Sequence, residues 1–285
     1  MKSYSKDLIF TDTKYGDWLC FSKIKTPGDY LGTVFFYRSA AILVKSAEVL
    51  GKKDDVETYM KLCTQIAKSF RKKFVGKDGL VKNSNQTMLA IALQFGLLTD
   101  EQVPKNAALL SQLVRENGNR LDTGFLGTYS LNFALSENGH AEDAMNLYLQ
   151  EEFPSWLFSV NQGATTMWER WNSYTKADGF GPASMNSFNH YAFGAIHDWV
   201  MQHVCGIQYV SAGGSVMCFC IEPDARLKYA KGKVETMHGT VSSSWRFLKN
   251  GDLQWEVSMP PNAIGTIRLP FGWTLKSHDG NSSCR

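Results

Sequence analysis

The feature that most constrains the fold is a change of hydrophobic periodicity near Gly206. From about Thr26 to Cys205, apolar residues recur every three or four positions, the spacing that gives an α-helix one apolar face. Beyond Gly206, runs of alternating residues are typical of β-strands. The sequence therefore predicts a mainly α domain over residues 1–206 and a small β domain over residues 207–285.

Start and stop signals divide the first part into successive helices. We predict a first helix capped by Thr26, with Pro27 at its first position and Leu50 at its end. A second helix begins at Asp54, and its apolar stripe runs from there to Phe74. Further helices are predicted at about 84–95, 104–117, 127–138, 140–150 and 186–205. Short connections between amphipathic helices indicate antiparallel hairpins packed in layers, which fits a bundle, a solenoid or an α/α toroid.

The second part shows hairpin signals. Residues 216–221 read as a buried strand, and Asn250-Gly251 joins two alternating runs, the pattern of a two-residue β-turn. Residues 263–269 have the pattern of a further strand, so we expect a few antiparallel strands in this part. The polar residues 276–285 are expected to be frayed.

Composition narrows the class of partners. A net charge of +3 over 285 residues gives no reason to expect nucleic acid or a membrane surface as partner, and no apolar run is long enough to span a bilayer. The N-terminal residues have no signal-peptide core, and the cysteines form neither a CxxC pair nor a zinc-finger spacing with histidine. We therefore expect a cytoplasmic chain without disulfides, metal or cofactor; the cysteines are Cys20, Cys63, Cys205, Cys218, Cys220 and Cys284.

One carboxylate stands out as a catalytic candidate. Glu169 lies between Trp168 and Trp171 in the segment 163–172, after small residues that permit close backbone approach. A carboxylate in such surroundings can act as a general base that activates water against a sugar carbon. A buried structural pair between Glu169 and Arg170 explains the same pattern equally well.

Two other segments carry groups suited to a sugar. Asn189 and His190 lie in a polar cluster that could bind hydroxyls, although capping of the helix predicted at 186–205 is the alternative. Asp17 and Trp18 join a carboxylate to an aromatic ring on which a pyranose can pack, and a surface turn is the alternative there.

Taken in order, these segments resemble glycoside hydrolase family 78, the bacterial and fungal α-L-rhamnosidases. The likeness extends from Tyr15 to about Leu269. It rests on GDWL at 16–19, QT at 86–87, TGFLGT at 123–128, PSWLF at 154–158, GATTMWERW at 163–171 and NSFNHYAFGAIHDW at 186–199.

The resemblance implies both a fold and an activity. The fold is a partial (α/α)₆ barrel of helical hairpins followed by an antiparallel β-sandwich. The activity is inverting removal of terminal α-L-rhamnose from glycosides or polysaccharides, with Glu169 as general base. It also implies substrate contacts, which we expect at Asp17, Trp18, Trp171, Asn189 and His190.

One departure from the family pattern bears on activity. The family's general acid belongs to a motif upstream of the GDW loop, and no such motif precedes Gly16. We therefore expect the acid on a missing N-terminal region, little activity in the isolated chain, and either self-association or a separately encoded N-terminal half. The alternatives are an (α/α)₆ inverting glycosidase for another sugar and a non-catalytic carbohydrate-binding remnant.

Overall fold

The computed structural model of this protein describes residues 2–270 and 272–277. The expectations for Cys284 and for the residues after 277 lie outside these described residues. The chain forms two compact units, Met1–Ile196 and His197–Arg285. The boundary after residue 206 stays a prediction.

Helices dominate the first unit. Six of its helices correspond to predicted ones, and the seventh, α7, is not predicted because it has only six residues. Its start is nevertheless marked, since the Ser155 side chain accepts a hydrogen bond from the Phe158 N–H at 3.1 Å. The helices are α1 Gly28–Val49, α2 Lys53–Phe74, α3 Gln86–Gln94, α4 Val103–Glu116, α5 Phe125–Ser136, α6 Ala141–Tyr148 and α7 Trp156–Asn161.

These helices pack as hairpins in two layers. Helices α1 and α2, α3 and α4, and α5 and α6 pack in pairs, while α1, α3 and α5 also contact one another in series. Residues 86–93 of α3 are all buried, whereas α4 buries a single stripe of side chains. A helix buried on every side belongs to an inner layer and a one-sided helix to an outer one. The arrangement matches the predicted partial barrel of helical hairpins.

Two predicted helix starts are wrong in detail. Thr26 does not cap α1; Pro27 occupies the cap position, and the Thr26 hydroxyl instead accepts a hydrogen bond from the Asn85 amide at 3.0 Å. Asp54 does not cap α2, which begins at Lys53. The apolar stripe of α2 is buried only in its second half, from Ile66 to Phe74. In the first half, Met60 remains 54% exposed.

The long helix predicted over 186–205 is wrong for its first six residues, since helical turns begin only at Ala192. Residues 186–191 form an irregular loop that bonds to residues 166–169. The following turns are of 3₁₀ type at Ala192–Ala195, α at Ile196–Trp199 and π at Val200–Val204. Polar groups of this loop bond to other segments of the chain. The Asn186 amide, for example, donates to the Ser173 carbonyl at 2.9 Å and does not cap a helix.

Short strands interrupt the helical unit, which the sequence does not predict. They are β1 Ser5–Lys6, β2 Ile9–Phe10, β3 Tyr174–Thr175 and β4 Gly179–Phe180, paired as β1 with β2 and β3 with β4.

Two three-stranded sheets form the second unit. One has the order β10-β6-β5 and the other β7-β8-β9. Met217 and Phe219 from the first sheet share a buried cluster with Val241 from the second, so the sheets pack face to face as a β-sandwich. The strands are β5 Ile207–Tyr209, β6 Val216–Phe219, β7 Tyr229–Thr236, β8 Gly239–Phe247, β9 Leu253–Ser258 and β10 Ile264–Ile267.

The Asn250-Gly251 hairpin is confirmed, with β8 and β9 antiparallel and Trp245 opposite Trp255. Gly251 has a φ of +84°, which glycine adopts without strain. The expectation of purely antiparallel pairing is wrong, because β10 pairs with β6 in parallel. Strands β5 and β7 are not predicted from the sequence. Within the described residues, no helix is long and apolar enough to cross a membrane.

Candidate active site

Asp17 is fully engaged by hydrogen bonds within the protein. Its carboxylate accepts the Thr87 hydroxyl at 2.5 Å and the backbone N–H groups of Gly124 and Leu126 at 2.8 Å each. It also accepts the Gly127 N–H at 3.3 Å. The three N–H groups lie at the start of α5, where a helix has no partners of its own, so Asp17 caps α5 from a distant loop.

Further bonds fix the loop that carries Trp18. The Trp18 carbonyl accepts the Phe125 N–H at 2.9 Å, and a Cβ on Gly124 would lie 2.2 Å from that same carbonyl oxygen. Only glycine permits this approach. The Trp18 side chain is 47% exposed, so a fixed backbone presents an open indole ring.

Glu169 is held by one residue of the neighbouring loop. Its N–H donates to the Ser187 carbonyl at 2.9 Å, and its Oε2 accepts the Ser187 N–H at 2.9 Å. The side chain is half-buried. Among the described residues no ion pair joins Glu169 to Arg170, so the alternative of a structural Glu–Arg pair is not what the fold contains.

His190 connects these loops. Its N–H donates to the Met167 carbonyl at 2.9 Å, which places it beside the segment of Glu169. Its ring lies 4.8 Å from the Phe125 ring, and Phe125 is the residue whose N–H binds Trp18. The fold therefore brings the segments of Trp18, Glu169 and His190 together around Phe125. Asn189 is exposed on the same loop as His190.

Trp171 lies in a different environment from the predicted one. It is 2% exposed, stacks on Phe193 with a centroid distance of 3.9 Å, and meets Trp156 edge to face at 5.5 Å. Its ring is thus part of the core and does not offer an open face to a sugar. Its indole N–H is buried and has no acceptor among the described residues.

Asp122 is a largely buried carboxyl that sequence reasoning missed. Its backbone carbonyl accepts the N–H groups of Phe21 and Ser22 at 3.0 Å each, which anchors the Trp18 loop. Burial raises the pKa of the Asp122 carboxyl to about 6, a hydrogen bond from Ser22 opposes this rise, and the negative charge of Asp17 adds to it. The sequence shows an Asp before Thr-Gly and contains no signal of its burial.

Cys20 adds to the same anchor. Its thiol donates to the Asp122 carbonyl at 3.0 Å, and burial raises the thiol pKa to about 11. A thiol with such a pKa stays protonated near neutral pH and is a poor nucleophile, which fits a structural role.

Two cavities border the Glu169 segment. The first has a volume of about 190 Å³ and is lined by Leu19, Cys20, Phe21, Arg170, Trp171 and Phe193. The second, of about 330 Å³, is lined by residues 164–168 and Trp171 together with Trp156, Ser159 and Val160. No three His, Cys, Asp or Glu side chains in the described part of the chain come together in a way that could hold a metal ion.

Two protein-family models together match nearly the whole chain. The model of the bacterial alpha-L-rhamnosidase 6 hairpin glycosidase domain matches residues 1–204, and the model of the bacterial alpha-L-rhamnosidase C-terminal domain matches residues 206–282.

Individual relatives agree with the family models. An alpha-L-rhamnosidase of Formosa agariphila is 42% identical over 274 residues, which is 93% of this chain and 29% of that protein. The crystal structure of Streptomyces avermitilis alpha-L-rhamnosidase complexed with L-rhamnose superposes with a TM-score of 0.88 at 34% identity, covering 93% of this chain and 26% of that one. The structure from Aspergillus terreus gives a TM-score of 0.83 at 30% identity, covering 86% and 28%. The chain therefore spans less than a third of the length of these relatives.

Proposed function

Because the chain belongs to the bacterial α-L-rhamnosidase family, we propose that it carries the general base of an inverting glycoside hydrolase that removes terminal α-L-rhamnose from glycosides or polysaccharides. The observation that supports this best is the placement of Glu169. It is fixed by Ser187 in a half-buried position, on a segment that pairs with the loop of His190. The His190 ring in turn contacts Phe125, whose N–H binds the Trp18 carbonyl.

The two oxygens of Glu169 have different surroundings. Oε2 accepts the Ser187 N–H, whereas Oε1 has no hydrogen-bond partner within residues 2–270 and 272–277. In the proposed reaction Oε1 takes a proton from water as the water oxygen bonds to the anomeric carbon. The glycosidic bond breaks, and its oxygen takes a proton from a general acid on the opposite face of the sugar. Inverting enzymes separate the two carboxyl groups by roughly 6.5–9.5 Å to make room for that water.

Trp18 and His190 are proposed to bind the rhamnose ring. The half-exposed Trp18 indole can pack on the C–H face of the sugar. The His190 Nδ1 accepts the Ala192 N–H at 3.4 Å, which puts the proton of the neutral ring on Nε2 and makes that nitrogen a donor to a sugar hydroxyl. Asn189 adds amide groups from the same loop. Asp17 supports Trp18 through its bonds to α5 and is not proposed to bind the sugar directly.

Neither carboxyl group near the Trp18 loop suits the role of general acid. Both oxygens of Asp17 accept hydrogen bonds from protein donors, so no position is left for a proton to be transferred to substrate. The Asp122 carboxyl has one buried oxygen, Oδ1, and is engaged by a side-chain hydrogen bond from Ser22. We therefore propose that the acid comes from polypeptide outside these 285 residues, and that the chain alone binds L-rhamnose but hydrolyses rhamnosides slowly.

Two measurements on the purified chain test this proposal. Calorimetric titration should show binding of L-rhamnose that Trp18→Ala removes and that Trp273→Ala, a partly exposed Trp in the second unit, preserves. Hydrolysis of an aryl α-L-rhamnoside should be slow and of other aryl glycosides absent. Fast release of rhamnose would show that an acid within the chain has been overlooked. Binding of a different sugar in preference to rhamnose would assign the site to another glycosidase specificity.

A further inference from the structure

Positive charge gathers on one surface of the first unit, at the end of α2 and in the loop that follows it. Residues 68–82 contain six basic side chains and one acidic one, Asp78. Lys105, near the start of α4, joins them because its Nζ donates to the Asp78 carbonyl at 3.1 Å. We call this set the basic patch; its members are Lys68, Arg71, Lys72, Lys73, Lys77, Lys82 and Lys105. The patch carries more positive charge than the whole chain, whose net charge is +3.

Hydrogen bonds hold the parts of the basic patch together. The fully buried Asn106 side chain of α4 accepts the Val81 N–H and donates to the Gly79 carbonyl, both at 2.9 Å. The Lys82 ammonium donates to the Lys73 carbonyl at 2.9 Å. The loop after α2 is therefore fixed both to α4 and to the end of α2, so that the three segments form one continuous surface.

Stabilisation of α2 does not explain the whole patch. Basic side chains in the last turn of a helix interact favourably with its free carbonyl groups, which explains Arg71, Lys72 and Lys73. Lys77 lies outside the helix, is exposed, and makes no ion pair with any acid that the structure describes. Cations gathered in this way repel one another, and an anionic partner would offset that repulsion.

The patch lies at the end of the helical hairpins that carries the loops of the candidate active site. Lys73 pairs with Asp29 in the first turn of α1. Thr87, in the first turn of α3, donates to the Asp17 carboxylate at 2.5 Å. Lys82 precedes Thr87 by five residues, so their Cα atoms are at most about 18 Å apart. A polymer whose terminal sugar occupies the candidate site can therefore reach the patch with a few further residues.

The surroundings of the patch favour a polysaccharide over other polyanions. Proteins bind single-stranded nucleic acid with exposed aromatic rings on which bases stack, and the aromatic residues of this segment, Phe70 and Phe74, are buried. Helices that lie on membranes insert exposed apolar side chains, and no large apolar residue within 68–82 is exposed. An acidic sugar polymer requires neither feature, because cations along a polar surface are enough to attract it.

From these observations we propose that the basic patch binds an acidic polysaccharide, a polymer with carboxylate or sulfate groups along its length, away from the sugar that is cleaved. The ammonium groups of Lys72, Lys77 and Lys82 pair with acid groups of the polymer, and counterions are released. The patch thereby raises the local concentration of polymer ends near the candidate site. The choice of a glycan as the polymer rests on the proposed function.

The test is calorimetric titration of the chain with polygalacturonate, with dextran sulfate and with neutral dextran. At least one acidic polymer should bind, which identifies the acid group, and dextran should not. The affinity should fall roughly ten-fold or more between about 50 and 200 mM salt. The patch variant, which combines Lys72→Gln, Lys77→Gln and Lys82→Gln, should bind the acidic polymer roughly ten-fold or more weakly than the parent chain.

The matched control removes the same charge from the other end of the α1–α2 hairpin. It combines Lys45→Gln, Lys52→Gln and Lys53→Gln, all at exposed positions, and should bind the acidic polymer as the parent chain does. L-rhamnose titrated in parallel separates the two proposals. The patch variant should keep rhamnose binding, and a parent chain that binds the polymer but not rhamnose would contradict only the proposed function.

Three results would overturn the inference. Absence of binding of both acidic polymers to the parent chain would exclude a polyanion site, and this result does not depend on the folding of a variant. An equal loss of affinity in the patch variant and the control would show that net charge and not the patch attracts the polymer. Duplex DNA that binds as tightly as the acidic polysaccharides would show a surface for polyanions in general and not for a glycan.

Discussion

The buried carboxyl of Asp122 makes stability depend on pH in a direction that can be worked out from the structure. Burial raises the pKa of this group from an ordinary value of 3.8 to about 6. Below about pH 4 the carboxyl is protonated in both the folded and the unfolded chain, so it costs nothing. Between about pH 4 and pH 6 the unfolded chain ionises first, and the free energy of unfolding falls as the pH rises. Above about pH 6 the full cost of a buried charge is present.

The magnitude follows from the pKa difference. A difference of roughly two corresponds to about 3 kcal/mol, and because solvent reaches part of the Asp122 side chain we expect about 2 kcal/mol. Asp122→Asn keeps the shape of the side chain and removes the charge. This variant should therefore be more stable than the parent chain by about 2 kcal/mol near pH 8 and equally stable near pH 4.

Urea unfolding followed by circular dichroism at the two pH values measures both differences. Asp100→Asn, which removes the same charge from an exposed position, is the control and should change stability little at either pH. A loss of stability near pH 8 on Asp122→Asn, or an equal effect at both pH values, would refute a charge cost at this carboxyl.

Three further variants test the contacts around the site. Asp17→Ala leaves the start of α5 without its distant cap and should cost about 2–3 kcal/mol in urea unfolding; an unchanged midpoint would show that the capping bonds contribute nothing. Gly124→Ala places a Cβ 2.2 Å from the Trp18 carbonyl oxygen and should cost about 1–3 kcal/mol and shift the Trp fluorescence, whereas a neutral result would mean that the loop moves aside freely. Ser155→Ala removes the cap of α7 and should cost ~1 kcal/mol; no loss by thermal unfolding would count against that cap.

The helical part of the fold was predictable because its signals are local. Apolar spacing and glycine stops such as Gly96 and Gly118, both with positive φ, depend only on the residues of each helix and its end. The Asn250-Gly251 hairpin follows from turn chemistry in the same way. Long-range pairing is different, since nothing local to Ile264–Ile267 specifies that this strand joins β6 in parallel.

The loop of His190 illustrates why a helix was wrongly predicted there. Its aromatic and apolar residues have helical spacing, but residues 186–190 bond to the distant segment of Glu169 instead of to their own turns. Tertiary contacts of this kind override a periodic pattern. They are also what brings Glu169 and His190 to one place.

Of the candidate site, the residue types were predictable and their surroundings were not. From the sequence, a Trp in a Trp-Glu-Arg-Trp motif is equally consistent with a sugar-stacking surface residue and with a buried core residue. Trp171 belongs to the core because Phe193, 22 residues away in sequence, stacks on it. The burial of Asp122 likewise depends on the distant loop of Phe21 and Ser22. Both features arise from packing between segments that the sequence presents separately.

The role of Glu169 as general base is the central proposal, and a fusion enzyme tests it directly. The N-terminal part of the 42% identical Formosa agariphila relative, joined ahead of this chain, would supply the proposed acid. We predict that the fusion releases rhamnose from an aryl α-L-rhamnoside and that Glu169→Gln lowers kcat by roughly 10²–10⁴-fold, the usual contribution of a general base. The control Glu151→Gln, at an exposed glutamate of the same unit, should keep full activity. An active fusion that loses nothing on Glu169→Gln would contradict the assignment.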